Sequence, residues 1–195
     1  MNVGPSFLRT REGAEAISTA APTIDLREER EMALQTEAKK LAEEALASSW
    51  TPGVFPVDPI AIAADLGVNV YSAFIGEDVS GMLRQEPGGV PEIFLDAYEP
   101  PVRRRFSCAH ELGHFIRHAS GDQAIAFVDY RGPKAKNGTD PEEVFANAFA
   151  ANLLMPEADV RQRYAAVPSA LRLANDFDVS LDAMTYRLKN LRLIG

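Results

Sequence analysis

Apolar residues recur at two different spacings along the chain, and the spacing changes where the predicted elements change. Over residues 26–47 they return every three or four positions between Glu and Lys side chains, which predicts an amphipathic helix. Residues 58–67 predict a short second helix, with a proline at its first position and a glycine where it stops. Residues 1–26 follow neither spacing and are interpreted as a flexible leader.

Three short runs rich in β-branched and aromatic residues come next, at 68–75, 80–86 and 92–97, with Gly and Pro turn signals between them. They predict a small sheet of about three strands with antiparallel pairs. Helical spacing then returns in two longer stretches, beginning near Pro101 and Asp140, and in two or three short helices at the end of the chain. A helical region, a sheet and then several helices predict an α+β fold.

The same pattern divides the chain into three parts. We expect the flexible leader over residues 1–26, the folded core over residues 27–156, and a helical subdomain packed on that core over residues 157–195. Residues 168–195 carry four basic and three acidic side chains, so direct DNA binding by this last part is not expected.

Composition narrows the classes of protein further. The 195 residues carry 20 basic and 28 acidic side chains, and the formal net charge of −8 argues against general affinity for nucleic acid. The single cysteine, Cys108, excludes a disulfide scaffold within the chain. No run of about 18 uncharged apolar residues is present, and the first residues lack the apolar block of a secretory signal. We therefore expect a cytoplasmic protein with no membrane contact.

All three histidines fall within nine residues, and the first two form the HExxH pattern His110-Glu111-Leu112-Gly113-His114. Residues four apart lie on one helix face, so both imidazoles can converge on one metal ion. Glu111 lies about 100° round the helix, where its carboxylate can reach a water molecule beside the metal. We therefore predict His110 and His114 as ligands of one Zn²⁺ per chain and Glu111 as the catalytic base.

His118 does not fit the same ion. It follows His110 by eight residues, which places it about 12 Å further along an unbroken helix axis. We interpret His118 as a capping residue at the helix end or as a residue that supports a zinc ligand.

The next predicted helix offers candidates for the third protein ligand that a catalytic zinc needs. Glu143 and Asn147 are four residues apart on one face, so the pair can supply a ligand and an amide that orients a ligating histidine. The alternative is that Glu143 only completes a capping box with Asp140 as N-cap. Beside the histidine pair we favour Glu143 as the third zinc ligand, ahead of Glu142.

Two segments resemble one known family. Residues 104–114, which end in HELGH, and residues 146–156, with the pattern ANxFAxxLLMP, are similar to the ImmA/IrrE family of bacterial and phage metallopeptidases. The resemblance extends over about residues 35–190. It implies a gluzincin-like core with active-site helices and a C-terminal, helix-turn-helix-like helical part.

The resemblance also implies roles for single residues. In the family, two histidines and a glutamate just ahead of an Ala-Asn pair bind zinc, which corresponds here to His110, His114 and Glu143, with Glu111 as the base. The position immediately before Ala-Asn is often acidic in family members, whereas this chain has Phe145. This difference leaves Glu143 as the glutamate in register.

Family members cleave helix-turn-helix repressors and so release gene expression. The resemblance therefore implies a zinc-dependent endopeptidase whose partner is an Xre/cI-like repressor, in mobile-element, stress or toxin–antitoxin regulation. The alternative from another class is a non-proteolytic zinc protein that sequesters a repressor or a toxin–antitoxin partner without cutting it. Only the peptidase predicts that cleavage disappears with Glu111 while binding survives.

Two further expectations concern the substrate. Its backbone is expected to pair with an exposed strand edge within residues 80–86, which makes Gly81, Met82 and Leu83 the candidate substrate-binding residues.

A group that stabilises the oxyanion is also required, and Tyr130, Tyr164 and His118 remain open candidates for it.

Overall fold

The computed structural model describes Met1 and residues 25–119, 124–130 and 140–195. The predicted leader therefore lies almost entirely outside the described residues. Among the described residues there are seven helices and four strands, which makes the protein a mixed α+β fold, as predicted. In chain order these are α1 (Leu26–Ser49), α2 (Pro59–Asp65), β1 (Asn69–Ala73), β2 (Val79–Gln85), β3 (Glu92–Asp96), α3 (Pro101–His118), β4 (Ile125–Tyr130), α4 (Pro141–Leu154), α5 (Glu157–Ala166), α6 (Ala170–Phe177) and α7 (Leu181–Asn190).

Short polar side chains fix where several helices begin. The Asp58 carboxylate accepts hydrogen bonds from the backbone N–H groups of Ile60 and Ala61 at the start of α2. The Asp140 carboxylate accepts one from the backbone N–H of Glu142, and Pro141 occupies the first position of α4. The predicted start signals of these two helices are therefore confirmed.

The sheet contains four strands in the order β1-β3-β2-β4, one more than the sequence analysis predicted. β1 pairs with β3 in parallel, whereas β2 pairs antiparallel with both β3 and β4. Gly81 lies opposite Leu95 on one side and Asp129 on the other. The prediction of an exposed edge within residues 80–86 is therefore wrong, because β2 is an inner strand whose two edges are both paired.

Helix α3 lies between the sheet and α4. It packs against β2 and against α4, and α1 packs mainly against α4 and also contacts α3. Every residue of α3 from Ser107 to His114 is buried. At Gly113 an added Cβ would lie 3.1 Å from the Cβ of Phe149, so this glycine allows α3 and α4 to approach closely.

The helices after α4 pack on the core. Arg187 of α7 donates hydrogen bonds to the backbone carbonyl of Met155 (3.0 Å) and to Oδ1 of Asn152 (2.8 Å) at the end of α4. Glu157 of α5 accepts from Nζ of Lys39 on α1 at 2.6 Å. These contacts tie the last helices to both α4 and α1. Among the described residues, no helix is long and apolar enough to cross a lipid bilayer.

Candidate metal centre

The two histidines of the HExxH pattern and Glu143 meet at one point between α3 and α4. His110 Nε2 and His114 Nε2 are 3.1 Å apart. Glu143 reaches them from α4, with Oε2 3.4 Å from His110 Nε2 and Oε1 3.8 Å from His114 Nε2. Both histidines are buried, and the side chain of Glu143 is 13% exposed. The three side chains form the candidate metal centre.

These separations fit a tetrahedral metal ion. Bond lengths of 2.0–2.1 Å place neighbouring ligand atoms of a tetrahedral zinc site about 3.4 Å apart. The separations of 3.1, 3.4 and 3.8 Å lie close to that value, with the two contacts of Glu143 made by different carboxylate oxygens. With one ligand atom taken from each residue, all three lie within 4.8 Å of one another. Two imidazoles and one carboxylate are also a donor set typical of catalytic zinc, which keeps a fourth position open. The arrangement therefore suits a metal ion with an open coordination position.

Glu142 and His118 lie together, away from this point. Glu142 Oε2 is 2.8 Å from His118 Nε2 and 3.7 Å from Nη1 of Arg117. This places the Glu142 carboxylate at the C-terminal end of α3, where it links α3 to α4. The structure therefore brings Glu143, and not Glu142, to the histidine pair.

Two neighbours hold the histidine rings in place. Oδ1 of Asn147 is 3.2 Å from Nδ1 of His110, one helical turn after Glu143. A hydrogen bond from Nδ1–H to this amide oxygen leaves the Nε2 lone pair of His110 directed at the metal position. The ring of Phe127 on β4 stacks on His114, with centroids 4.2 Å apart and an interplanar angle of 8°. Asn147 was predicted for this position, and Phe127 was missed because β4 was missed.

Glu111 lies on the sheet side of the two histidines and is fully buried. Neither carboxylate oxygen accepts a hydrogen bond of ordinary geometry within the described residues. Burial, followed by the negative charges of Asp129 and Glu143, raises the pKa of Glu111 well above its usual range, and the backbone of Leu83 offsets this only in part. The carboxylate fits here because Gly81 has no side chain: an added Cβ at Gly81 would lie 2.8 Å from Oε1 of Glu111.

The sequence analysis missed Asp129 as a residue of the site. It lines a cavity of about 140 Å³ together with His110, Glu143 and Arg103. Its carboxylate lies 3.7 Å from Nη2 of Arg103, and burial raises the pKa of Asp129. Of the three candidates for oxyanion stabilisation, Tyr130 is the one found among the described residues that line this cavity.

The predicted substrate-binding residues lie elsewhere than expected. Leu83 is fully buried in the core, and Gly81 faces Glu111 from the middle of the sheet. Met82 is partly buried on the same inner strand. The edge strand beside the candidate metal centre is β4, whose residues 128–130 line the cavity. β4 pairs with β2 across at least 40 residues of sequence, and this long-range pairing decides which strand lies at the edge of the sheet. The local spacing of apolar residues does not predict it.

An α+β core in which two buried histidines and a glutamate converge beside a second, fully buried glutamate defines a metallopeptidase-type metal protein. The sequence profile of the Peptidase_M78 family, described as the IrrE N-terminal-like domain, matches residues 63–189. The chain belongs to this family, which implies a metal at the site.

Comparison with single proteins agrees with this assignment. The chain is 30% identical to "Radiation response metalloprotease IrrE" of Deinococcus radiodurans, over 69% of this chain and 48% of that protein. Among solved structures it is similar to a Mycobacterium tuberculosis transcriptional regulator, with a TM-score of 0.55 and 16% identity, over 83% of this chain and 50% of that one. The chain thus spans about half the length of both proteins, and the second likeness concerns the fold alone.

Proposed function

We propose that this chain is a zinc-dependent endopeptidase of the gluzincin type that acts in the cytoplasm. The observation that carries the proposal is the convergence of His110, His114 and Glu143 within 4.8 Å of one another, beside the buried carboxylate of Glu111. His110, His114 and Glu143 would hold the ion. When bound, zinc supplies Lewis-acid activation of water and of the scissile carbonyl.

The side chains of the protein perform the proton transfers. Glu111 takes a proton from the attacking water molecule and passes it to the leaving amine nitrogen. A cation held by the neighbouring ligands would offset the raised pKa of Glu111, so that its carboxylate can accept the first proton and then pass it on. Asn147 keeps the His110 ring oriented through the contact at Nδ1.

The substrate backbone is proposed to pair with β4. This strand has β2 on one side, and its other edge has no strand partner within the described part of the chain. Residues 128–130 of β4 line the cavity at the candidate metal centre, so an extended segment paired there would carry its peptide bonds past the ion. Tyr130, at the end of this strand, is the proposed donor to the oxyanion.

A helix-turn-helix repressor of the Xre/cI type is the proposed protein substrate. This part of the proposal rests on the resemblance of the HELGH and ANxFAxxLLMP segments to the ImmA/IrrE family. Cleavage would relieve repression in a mobile-element, stress or toxin–antitoxin setting.

The test combines metal analysis with a cleavage assay. Wild-type protein purified without chelator should contain about one zinc per chain, and His110→Ala/His114→Ala should contain none. His118→Ala is the matched control, because it removes the third histidine, whose ring nitrogen contacts Glu142 and not the candidate metal centre.

Cleavage of candidate helix-turn-helix repressors of the Xre/cI type is then followed by mass spectrometry. Glu111→Gln should keep its zinc, bind the repressor and leave it uncut. If the wild type binds zinc and repressor but cuts nothing, the sequestering alternative replaces the peptidase. Full cleavage by Glu111→Gln would refute the role of the base.

A further inference from the structure

Ser107 lies on α3, one helical turn before the HExxH pattern, and is fully buried. Its hydroxyl oxygen has no hydrogen-bond partner within the described residues. A buried polar atom without a partner costs free energy, and folded proteins keep few of them. The surroundings of Ser107 should therefore contain a group that this hydroxyl serves.

Helical geometry places Ser107 beside Glu111, the proposed base. A residue four positions later lies only about 40° round the helix and about 6 Å further along its axis. Side chains on a helix lean towards its N-terminus, so the long side chain of Glu111 leans back over the turn that carries Ser107. The hydroxyl and the carboxylate therefore lie on one face of α3 as neighbours.

Glu111 is an acceptor that needs a donor. Its side chain is fully buried, and neither carboxylate oxygen accepts a hydrogen bond of ordinary geometry in the part of the chain that the structure describes. A serine hydroxyl supplies one O–H donor, and an ionised carboxylate only accepts. One hydrogen bond between the two side chains would therefore satisfy two buried groups at once.

Two other acceptors are less suitable. Asp129 faces the same side of the sheet as its cross-strand partner Gly81, but its carboxylate already lies 3.7 Å from Nη2 of Arg103. The backbone carbonyl of Arg103 is the usual acceptor for a serine within a helix, yet the hydroxyl of Ser107 does not donate to it. Rotation about the Cα–Cβ bond of Ser107 turns the hydroxyl between its staggered positions. These observations favour Glu111 as the acceptor.

We propose that Ser107 is a positioning residue for Glu111: its hydroxyl donates a hydrogen bond to the carboxylate and holds it in the orientation that reaches the attacking water molecule. The inference rests on the proposed function and deepens it, because it names the group that orients the base. The cavity of about 140 Å³ at the candidate metal centre is called the metal cavity, and Ser107 is not among the described residues that line it. Ser107 would therefore act through Glu111.

The test compares variants that differ in the hydroxyl. Ser107→Thr and Ser107→Val have nearly the same shape, and only the threonine carries an O–H donor. Ser107→Ala removes the hydroxyl without adding volume, which covers the case in which the two larger side chains prevent folding. The measurements are zinc content, and kcat and KM on a peptide that spans the bond cleaved in the repressor assay.

The expected result is a loss of kcat alone. In Ser107→Ala and Ser107→Val, kcat should fall about 10- to 100-fold, as for the loss of one hydrogen bond to a charged group, with KM and zinc content at the wild-type values. Ser107→Thr should recover most of the kcat that Ser107→Val loses. Wild-type kcat in Ser107→Ala, equal kcat in folded Ser107→Thr and Ser107→Val, or a matching loss of zinc would overturn the proposal.

A double-mutant cycle tests the contact without a substrate. Unfolding in urea is compared for the wild type, Ser107→Ala, Glu111→Ala and the double variant, each as purified and with its zinc content measured. Ser107→Ala should lower the urea midpoint when Glu111 is present and should not lower it when Glu111 is absent. Additive effects would overturn the proposal. Coupling in a wild type that cuts no repressor would support the contact and refute the proposed reaction, so the two failures are distinguishable.

Discussion

Gly81→Ala is expected to separate metal binding from catalysis. The new Cβ would lie 2.8 Å from Oε1 and 3.2 Å from Cγ of Glu111, whereas ordinary contact begins at 3.4 Å. The carboxylate would therefore have to withdraw by about 0.6 Å or more. The three atoms nearest to this Cβ all belong to Glu111, so the ligands His110, His114 and Glu143 should stay in place.

The size of the effect follows from that displacement. A misplacement of about 1 Å in a catalytic geometry costs roughly 100-fold in rate, so the variant should lose roughly 10- to 100-fold in kcat. Zinc content should remain at about one per chain. The measurements are kcat on a peptide that spans the bond cleaved in the repressor assay, and elemental analysis of the same protein sample.

Gly113→Ala provides the contrast. Its Cβ would press on Phe149 at 3.1 Å and push α4 away from α3, and α4 carries Glu143. This variant should lose zinc affinity together with activity, and about 1–3 kcal/mol of stability from overpacking. Wild-type kcat in Gly81→Ala, or equal loss of zinc in both variants, would refute the reasoning about Glu111.

Three further predictions concern stability and reactivity. Lys39 and Arg161 lower the pKa of Glu157 to about 2, so Glu157→Gln should cost about 1 kcal/mol at pH 7, a difference that shrinks as pH falls from 4.5 towards 2 in urea unfolding. Arg187→Met leaves Oδ1 of Asn152 without its donor and should cost about 2 kcal/mol; an unchanged urea midpoint would contradict this. Burial raises the pKa of Cys108 to about 12, so a thiol reagent at pH 8 should label it only after unfolding.

The features that were predicted from sequence alone depend only on the spacing of residues within a single helix. The spacing of His110 and His114 places both rings on one face of α3, and the spacing of Glu143 and Asn147 places a carboxylate and an amide on one face of α4. Helical geometry fixes such pairs wherever the helix lies. That α4 would bring Glu143 to the histidines was inferred from the resemblance and from zinc chemistry, since spacing within a helix says nothing about its neighbour.

The features that were missed depend on contacts distant in sequence. Residues 125–130 read Ile-Ala-Phe-Val-Asp-Tyr, a run with the β propensity of a strand, yet the sequence analysis left it unassigned. With β4 unassigned, the pattern predicts β2 as an edge strand, and the predicted site contains neither Phe127 nor Asp129. The order of strands in a sheet is decided by pairing between segments distant in sequence. The spacing of apolar residues within one segment does not predict that pairing.

The family match begins at residue 63, after α1 has ended, yet α1 packs against α4, the helix that carries Glu143. Within the described residues, none of those that line the metal cavity lies on α1. A segment outside the family match therefore supports the position of a proposed zinc ligand without lining the site. A protein shortened to the residues of the family match would lose this support, and its metal affinity is expected to fall.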